Sequence, residues 1–536
     1  MGLNLIPRIH NGLKRRWVHR QSDRQTERLA REIERHAPAP EGSPVVIYNA
    51  STRLEGMSLN AAFALMTGWA LRLQGVPVIH FVCKAGLTRC MLGTNRDDPS
   101  QPPPCKLCVA KSKHIYTRAD VRWYEFKLDP DLEARLQGLS LDELVAFEYG
   151  GLPLGRLTLP SLRWALRLYH LPDTPGTVFL YRQYILSAWR VAQEFSSLLV
   201  QANPLAVVVF NGIAYPEAVA AHIARSRAIP VITHEVGLQP FSAFFTYGEA
   251  TAYPLDIPAD FELDAARNQR LDAYLSKRFK GDFTMAGIKF WPEMKQLPQA
   301  LLDKAANFQQ IVPVFTNVIF DTSQEHANVL FEHMFAWLDQ VAEIMRAHPE
   351  TLFVLRAHPD ESRPGKASRE TVAAWAERSG VLQLPNVEFV PSTEPLSSYE
   401  LIQRSKFVMV YNSTIGLEAS ILGAAVLSGG RSRYTQLPTV CLPSSAEEHR
   451  RQAEEWLQAQ TVWIPEEYQR NARKFLYYQL FRSSLPFNDV LEEDGVWRGF
   501  VRPKDVSWQA FLPQNSPTFR TILDGILKQK EFILPE

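Results

Sequence analysis

Short apolar, β-rich runs alternate along this chain with longer segments of helical hydrophobic periodicity. The first half shows this alternation at 45–48, 58–74, 76–82, 205–210, 216–226 and 230–233, and the second half at 312–315, 330–347, 351–356, 407–411, 415–422 and 424–428. Strands that are apolar throughout are buried on both faces, which is typical of parallel sheets joined by helices. Because the less regular region 250–305 separates the two halves, the pattern predicts an α/β fold with two Rossmann-like domains facing a cleft.

The stretch 407–430, FVMVYNSTIGLEASILGAAVLSGG, predicts a strand, a tight turn, a helix and another strand. Asn412, Ser413 and Thr414 occupy the turn, and all three are residue types that cap helices. Open α/β sheets bind ligands beyond the carboxyl ends of their strands, where a helix N-terminus favours a phosphate. Glu418 follows one turn along the helix, within reach of a sugar hydroxyl. An ordinary capped unit without a ligand explains the same turn.

A second candidate element is the buried strand 351–356, which is followed by Ala357-His358-Pro359-Asp360. Proline does not fit inside a central strand, so the strand ends here and His358 lies at its carboxyl end. Arg356 and His358 would then share the edge that carries Asn412, and both side chains can donate to phosphate oxygens. A simple strand-terminating turn is the alternative.

The motifs RAHPDE at 356–361, SSYELI at 397–402 and YNSTIGLEASILGAAVLSGGRSRY at 411–434 resemble the capsule polysaccharide biosynthesis glycosyltransferases. This family has the GT-B fold and is similar to bacterial Kdo-transferases and sialyltransferases. The resemblance implies that His358, Ser413 and Thr414 hold the nucleotide and phosphate of the donor and that Glu418 holds its ribose. The family pattern also carries a TN-x-x-x-D stretch where Asn317 stands, which implies a donor phosphate contact, although an Asx-type turn is equally consistent.

In the first half, Thr233-His234-Glu235-Val236-Gly237 follows a predicted strand and should face the cleft. Glycosyl transfer with inversion needs a base that takes the proton of the acceptor hydroxyl. Related sialyltransferases carry an acidic-acidic-Gly motif whose acid is that base, and the resemblance therefore implies Glu235 as the catalytic base. This chain departs from that motif, since it has one carboxylate and a valine before the glycine. His234 is the alternative base, and Asn211 should lie on the same edge.

Four of the five cysteines, Cys83, Cys90, Cys105 and Cys108, have the spacing C-x6-C-x14-C-x2-C. The CxxC pair is of the kind used in zinc knuckles. We expect a structural zinc, or an iron–sulfur cluster with the same ligands, that clips the insertion to the first domain away from catalysis. Reduced thiols without a metal are the alternative.

Composition excludes several classes of function. The net charge of +1 gives no global field for nucleic acid, and no apolar run reaches the length of a transmembrane helix. Arginines and lysines dominate residues 8–35, which predicts a helix that either packs against the protein or contacts anionic lipid headgroups. We expect a cytoplasmic protein, with peripheral contact at the inner face of the membrane as the alternative.

These patterns divide the chain into segments. They are a basic helical segment at 1–40, a first, acceptor domain at 41–255 with a cysteine-rich insertion at 83–113, a linker region at 256–305, a second, donor-nucleotide domain at 306–466, and a C-terminal helical segment at 467–536 that returns to the first domain.

The predicted activity is transfer of a sugar from a CMP- or UDP-linked donor to a surface polysaccharide or a lipid-linked glycan, without a catalytic cofactor. GT-B enzymes commonly work without a metal ion. The alternatives are a sugar-nucleotide epimerase, a glycerophosphotransferase, or a non-catalytic relative that binds a nucleotide-sugar or a polysaccharide.

Overall fold

The computed structural model describes residues 5–50, 54–280, 295–496 and 499–536, with no account of the side chains of residues 5–14 and Arg16. The connection at 49–56, between the first predicted strand and helix, and the linker region at 256–305 therefore lie partly outside the described residues. The strands are β1 (Val45–Tyr48), β2 (Val78–Cys83), β3 (Asp120–Tyr124), β4 (Ala206–Phe210), β5 (Val231–Val236), β6 (Ser242–Thr246), β7 (Gln310–Phe315), β8 (Thr351–Arg356), β9 (Val387–Val390), β10 (Val408–Val410), β11 (Val426–Ser428), β12 (Leu485–Pro486), β13 (Leu491–Glu493) and β14 (Val501–Pro503).

Helices connect and cover these strands. The α-helices are α1 (Leu5–His36), α2 (Leu59–Arg72), α3 (Cys105–Ile115), α4 (Pro130–Leu136), α5 (Leu141–Val145), α6 (Leu154–Leu166), α7 (Pro175–Ala202), α8 (Tyr215–Ser226), α9 (Ala265–Arg278), α10 (Gln299–Ala305), α11 (Gln324–Ala327), α12 (Met334–Ala347), α13 (Val372–Ser379), α14 (Ser398–Gln403), α15 (Ile415–Ile421), α16 (Ala446–Gln458), α17 (Glu466–Phe481) and α18 (Pro517–Lys528). Short 3-10 helices occur at Ala250–Ala252, Pro359–Ser362, Val381–Gln383, Arg433–Gln436 and Trp508–Phe511.

The described strands of the first domain form a seven-stranded sheet in the order β12-β6-β5-β4-β1-β2-β3. Strands β3, β2, β1, β4 and β5 run parallel, whereas β6 and β12 are antiparallel to their neighbours. All four side chains of β1 and all five of β4 are buried. The register brings the carboxyl ends of β4 and β5 to one edge, where Phe210 lies opposite His234.

The second domain has a parallel five-stranded sheet in the order β11-β10-β7-β8-β9. Phe315 at the end of β7 pairs with both Val410 and Arg356, so the ends of β10 and β8 flank it. The fold is thus α/β with two Rossmann-like sheets that face a common cleft, the GT-B arrangement that the hydrophobic pattern and the motifs predicted.

Helix α1 packs one face against the first domain. Val18, Leu29 and Ile33 on this face are at most 4% exposed, and the helix contacts α2, α3 and β14. Spacing of three to four residues between buried positions is typical of an amphipathic helix that covers a core. One face of α1 therefore packs against the protein, as the first of the two predicted alternatives states. Among the described helices, none combines the length and apolarity that a bilayer crossing needs.

The chain crosses between the domains near its C-terminus. Helix α17 stays with the second domain, where Phe475 joins the core around α9 and α15. Beyond it, β12 extends the first sheet beside β6, and α18 packs on α2. The last part of the chain therefore completes the first domain.

Candidate functional site

The two sheets enclose a cleft of about 920 Å³ between the domains. The first domain lines it with residues that include Asn60, Asn211, Glu235 and Tyr253, and the second domain with residues that include Asn317, Asp321, His358, Lys366, Asn412, Ser413, Thr414, Arg431 and Arg433. Most of these residues lie at or beyond the carboxyl ends of β4, β5, β7, β8, β10 and β11, whereas α2 supplies Asn60 and the segment after β6 supplies Tyr253. This edge is where open α/β sheets bind ligands, so the cleft is the candidate active site.

The Glu235 carboxylate is fixed in the cleft wall by donors on both of its oxygens. Its Oε1 accepts from the Asn60 Nδ2 at 3.1 Å and from the Val236 backbone N–H at 2.8 Å, and its Oε2 accepts from the Asn211 Nδ2 at 2.8 Å. The Asn211 Oδ1 in turn accepts from the backbone N–H of Ile213, so the orientation of this amide is set. Glu235 lies where the topological argument placed it, and its role as a base stays a prediction.

Asn60 was not singled out from the sequence. It lies within the apolar run LNAAFALM of α2, and nothing local distinguishes it from a buried structural asparagine. Its side chain is 8% exposed and points toward β5, although it is far from Glu235 in the chain. The sequence indicates only that a polar residue on an otherwise apolar helix face needs a hydrogen-bond partner when it is buried. It does not indicate that the partner is a residue of the cleft.

The structure rules out His234 as the alternative base. Its side chain is fully buried on the other face of β5, where it stacks on Phe245 at a ring distance of 5.3 Å. Burial lowers the pKa of His234 to about 3, so the ring is neutral at pH 7. Neither ring nitrogen has a hydrogen-bond partner among the described residues. His234 is a core residue and does not contact the cleft.

The buried His234 gives a pH-dependent stability that can be measured. Its pKa in the folded protein lies below the unfolded value of 6.5, so acid favours the unfolded state, and stability is full above pH 6.5 and falls toward pH 3. At pH 5 this amounts to about 2 kcal/mol. Between pH 7.5 and pH 5, we expect the free energy of unfolding in urea to fall by about 2 kcal/mol less in His234→Phe than in the native protein. The same substitution at the exposed His114 serves as control and should lose as much stability as the native protein. Equal losses of stability in His234→Phe and in the native protein would contradict the assignment of His234 to the core.

His358 lies in the cleft lining, as the His-Pro motif predicted. Its Nδ1 accepts from the backbone N–H of Asp360 at 3.1 Å, so the neutral ring carries its proton on Nε2. Burial lowers the pKa of His358, opposed by the carboxylates of Asp360 and Asp321. A neutral imidazole with a fixed tautomer is a directional N–H donor. This arrangement suits a contact with a phosphate oxygen.

Arg356 does not reach the cleft, contrary to the prediction of a donor contact. Its guanidinium is buried, and Nη1 donates to the Leu396 carbonyl at 2.5 Å. Burial lowers the pKa of Arg356 to about 10. The side chain instead ties the end of β8 to the segment before α14.

The turn between β10 and α15 carries the remaining predicted donor-binding residues. Asn317 donates from Nδ2 to the Asn412 Oδ1 at 2.7 Å, which couples the turn to the loop after β7. The Ser413 carbonyl accepts from the Tyr434 hydroxyl at 2.8 Å. Thr414 is the N-cap residue of α15, yet its side chain makes no capping hydrogen bond. The predicted capping is therefore absent there, and the Thr414 side chain lies in the cleft lining.

Glu418 is directed into the protein rather than toward a ribose. The residue is buried, and its Oε1 accepts from Nε and Nη2 of Arg278 at 2.9 and 2.5 Å. Its Oε2 accepts from the Tyr399 hydroxyl at 2.5 Å. The predicted ribose contact is therefore wrong for this structure. Glu418 instead anchors α15 to the end of α9.

Cationic side chains add to the cleft wall on the second domain. Arg431, Arg433 and Lys366 line the cleft, and the guanidinium of Arg433 lies 4.3 Å above the ring of Tyr253 from the first domain. Arginines after a double glycine are equally typical of an exposed surface, so the sequence alone does not assign them to a site. Guanidinium groups bind phosphates and carboxylates well, so this wall suits an anionic ligand.

The domains also contact each other at one rim of the cleft. Arg163 of the first domain pairs with Glu325 at 3.2 Å, and the Tyr169 backbone N–H donates to the Glu370 carboxylate at 2.9 Å. His170 contacts Glu370 and lies 3.1 Å from His333 between ring nitrogens. Polar contacts of this kind are typical of interfaces between domains of one chain, and they tie the two domains together at this rim.

The four clustered cysteines line a small cavity of about 30 Å³ in the first domain. Leu54 and Leu92 line both this cavity and the cleft, so the cysteines lie directly behind the cleft wall rather than far from it. Within the described ranges, no group of three or more His, Cys, Asp or Glu side chains is arranged to hold a metal ion as it stands.

No family model matches the chain. Protein FixF from Sinorhizobium fredii (strain NBRC 101917 / NGR234) is 28% identical over 241 residues, which cover 43% of this chain and 50% of that protein. The match thus spans half of the length of that relative.

Solved structures that match the chain include the Thermosulfurimonas dismutans KpsC beta Kdo 2,7 transferase, at 14% identity and a TM-score of 0.32, covering 63% of this chain and 90% of that one. A sucrose-phosphate synthase from Thermosynechococcus elongatus has 12% identity and a TM-score of 0.28, with coverages of 82% and 95%. A UDP-GlcNAc 2-epimerase from Neisseria meningitidis has 11% identity and a TM-score of 0.24, with coverages of 80% and 94%. At these identities and TM-scores the likenesses assign no fold, activity or substrate to this chain.

Proposed function

We propose that the chain is a glycosyltransferase that moves a sugar from a nucleotide-sugar donor to a surface polysaccharide or a lipid-linked glycan. The observation that carries the proposal is the composition of one cleft. On the first domain, two asparagine amides hold the Glu235 carboxylate. On the second domain, the cleft wall carries the His358 imidazole, the hydroxyls of Ser413 and Thr414, asparagine amides and two arginines. The first set suits proton removal from an acceptor, and the second suits a phosphate-linked donor.

On the donor side, His358 presents its Nε2–H to the leaving phosphate, and Ser413 and Thr414 supply hydroxyl donors beside it. Arg431 and Arg433 add positive charge on the same wall. Charge develops on the phosphate oxygens as the bond to the anomeric carbon breaks, so donors that are already in place lower the barrier. The proposal needs no metal ion, because these groups compensate that charge.

On the acceptor side, Glu235 accepts the proton of the attacking hydroxyl. The hydroxyl oxygen forms the new bond to the anomeric carbon, the bond to the phosphate oxygen breaks, and the nucleotide leaves with that electron pair. Asn60 and Asn211 hold the carboxylate in one orientation, which reduces the entropy lost in reaching the reactive geometry. This scheme corresponds to transfer with inversion.

His358→Ala should weaken donor binding far more than it changes stability. Losing one hydrogen bond to a charged phosphate costs about 1.5–3 kcal/mol, or roughly 10- to 150-fold in donor affinity. Isothermal titration with the donor nucleotide measures this loss. His348→Ala is the matched control, since His348 precedes β8 at the end opposite to His358. Equal donor affinity in native protein and His358→Ala would refute the assignment of the His-Pro element.

The proposal extends to the place where the enzyme meets its acceptor. Trp17 is 63% exposed on α1, and Arg20 and Arg24 on the same helix are exposed as well. An exposed indole beside arginines suits the headgroup region of an anionic membrane. Such contact would bring the cleft near a lipid-linked glycan at the inner face of a membrane.

A panel of CMP-, UDP- and CDP-linked sugars tests the activity directly. The native protein should release nucleotide from one member of the panel, and release should increase when the matching acceptor glycan is present. Chromatography of the product should show the acceptor extended by one sugar. Saturable binding without release or transfer would instead identify a non-catalytic relative, and epimerised donor without transfer would identify an epimerase.

A further inference from the structure

The four cysteines behind the cleft wall come from three separate pieces of the chain. Cys83 ends β2, Cys90 lies in the following loop, and Cys105 and Cys108 lie in the first turns of α3. All four line one cavity, whose other walls are the aliphatic and proline side chains of Ala50, Leu54, Leu87, Leu92, Pro103, Pro104 and Val109, with Ala85. None of the four forms a disulfide. The fold thus gathers four thiols from the end of β2, the following loop and α3 around one apolar cavity.

Backbone N–H groups donate to two of the sulfurs. The Gly86 N–H lies 3.3 Å from the Cys83 Sγ, and the Gly93 N–H lies 3.2 Å from the Cys90 Sγ. A Cβ added at Gly93 would lie 2.9 Å from the Cys90 Sγ and 2.8 Å from Pro103, so glycine is needed for this close approach. Hydrogen bonds to sulfur favour the thiolate, which is the form that binds metals.

The lining of the cavity favours a cation that binds sulfur. Apart from the four cysteines, the residues that line it are aliphatic side chains and prolines, so the thiols are its side-chain donor set. Four cysteine sulfurs are the ligands that structural zinc and iron–sulfur clusters take in proteins. Such a cation displaces the thiol protons when it binds.

We infer that Cys83, Cys90, Cys105 and Cys108 are the ligands of a thiophilic metal centre that braces the cleft wall. The sulfurs are not yet at coordinating positions, since no described group of three such side chains is arranged for an ion. Loading would therefore require the four sulfurs to move closer together around the cavity than they lie here. Because Leu54 and Leu92 separate this cavity from the cleft, the centre would fix the wall beside the acceptor. Its role is structural, and no step of sugar transfer passes through it.

Metal analysis of the full chain, purified without oxygen and without an affinity tag that binds metals, tests the inference. We expect about one zinc per chain, or about four iron and four sulfide per chain with visible absorbance. Either result supports the four-thiolate centre, and the measured metal content decides between a zinc ion and an iron–sulfur cluster. Cys105→Ser with Cys108→Ser should lose the metal, whereas Cys441→Ser, which changes the remaining cysteine, should keep it.

Thiol titration of the native protein keeps the test decisive if the double variant fails to fold. Metal-bound sulfurs react slowly, so a thiol reagent should modify about one cysteine in the loaded protein and all five after chelation and denaturation. These measurements need no donor or acceptor, so their outcome is separate from that of the glycosyltransferase proposal. Folded protein that contains neither metal, takes up neither zinc nor iron with sulfide, and shows no chelator-dependent thiol protection would overturn the inference.

Discussion

Glu235→Gln is expected to reduce sugar transfer by about 10²- to 10⁴-fold, the usual contribution of a positioned general base. The amide has the shape of the carboxylate but cannot take the proton of the acceptor hydroxyl. Donor affinity should change little, because the donor-binding side chains belong to the second domain. The comparison of kcat with the donor Kd, measured on the same preparation, separates a lost base from a lost binding contact.

The matched control is Glu194→Gln, which changes a carboxylate of the first domain that pairs with Arg190 on α7. This variant should keep native turnover. A Glu235→Gln protein with normal turnover would exclude Glu235 as the base. Loss of donor affinity in the same proportion as turnover would instead assign Glu235 to the donor.

Arg278→Leu is expected to destabilise the fold by about 3–5 kcal/mol, because it leaves the Glu418 carboxylate buried without its charge partner. The side chains of Arg278 and Glu418 are only 8% and 5% exposed. The pair joins α9 to α15, whose first residues follow the donor-binding turn. We therefore expect donor affinity to fall as well, measured at a temperature where the variant is still folded.

A double variant separates the charge effect from packing. Arg278→Leu with Glu418→Gln removes the uncompensated charge and should recover a large part of the lost free energy of unfolding in urea. An exposed pair gives the scale for comparison: Arg451, with a side chain 68% exposed, lies 3.4 Å from Glu448, and Arg451→Leu should cost at most about 1 kcal/mol. If Arg278→Leu costs no more than Arg451→Leu, the buried pair does not anchor α15.

Much of the fold was predictable from the sequence because buried parallel strands are apolar throughout. The predicted strands at 45–48 and 351–356 coincide with β1 and β8. Ser58 caps α2 by accepting the Ala61 N–H, as a serine before an apolar periodic run should. These signals are local, and each depends on a few neighbouring residues.

The errors at the site came from geometry that local patterns do not contain. Strand β5 continues to Val236, beyond the predicted end at 233, so His234 and Glu235 lie within the strand. Side chains alternate between the faces of a strand, which sends Glu235 to the cleft and His234 to the core. Glu418 was misassigned because its partner Arg278 lies 140 residues away, in a region that the sequence pattern left irregular.

The most direct test of the central claim is a calorimetric titration of the protein with CMP, UDP and CDP. We predict saturable binding of one of them near one site per chain, with affinity reduced roughly 10-fold or more in His358→Ala and retained in Glu235→Gln. That pattern would place the donor on the second domain, with the base free to act on the acceptor. Absence of binding by all three nucleotides, or equal affinity in native protein and His358→Ala, would contradict the account.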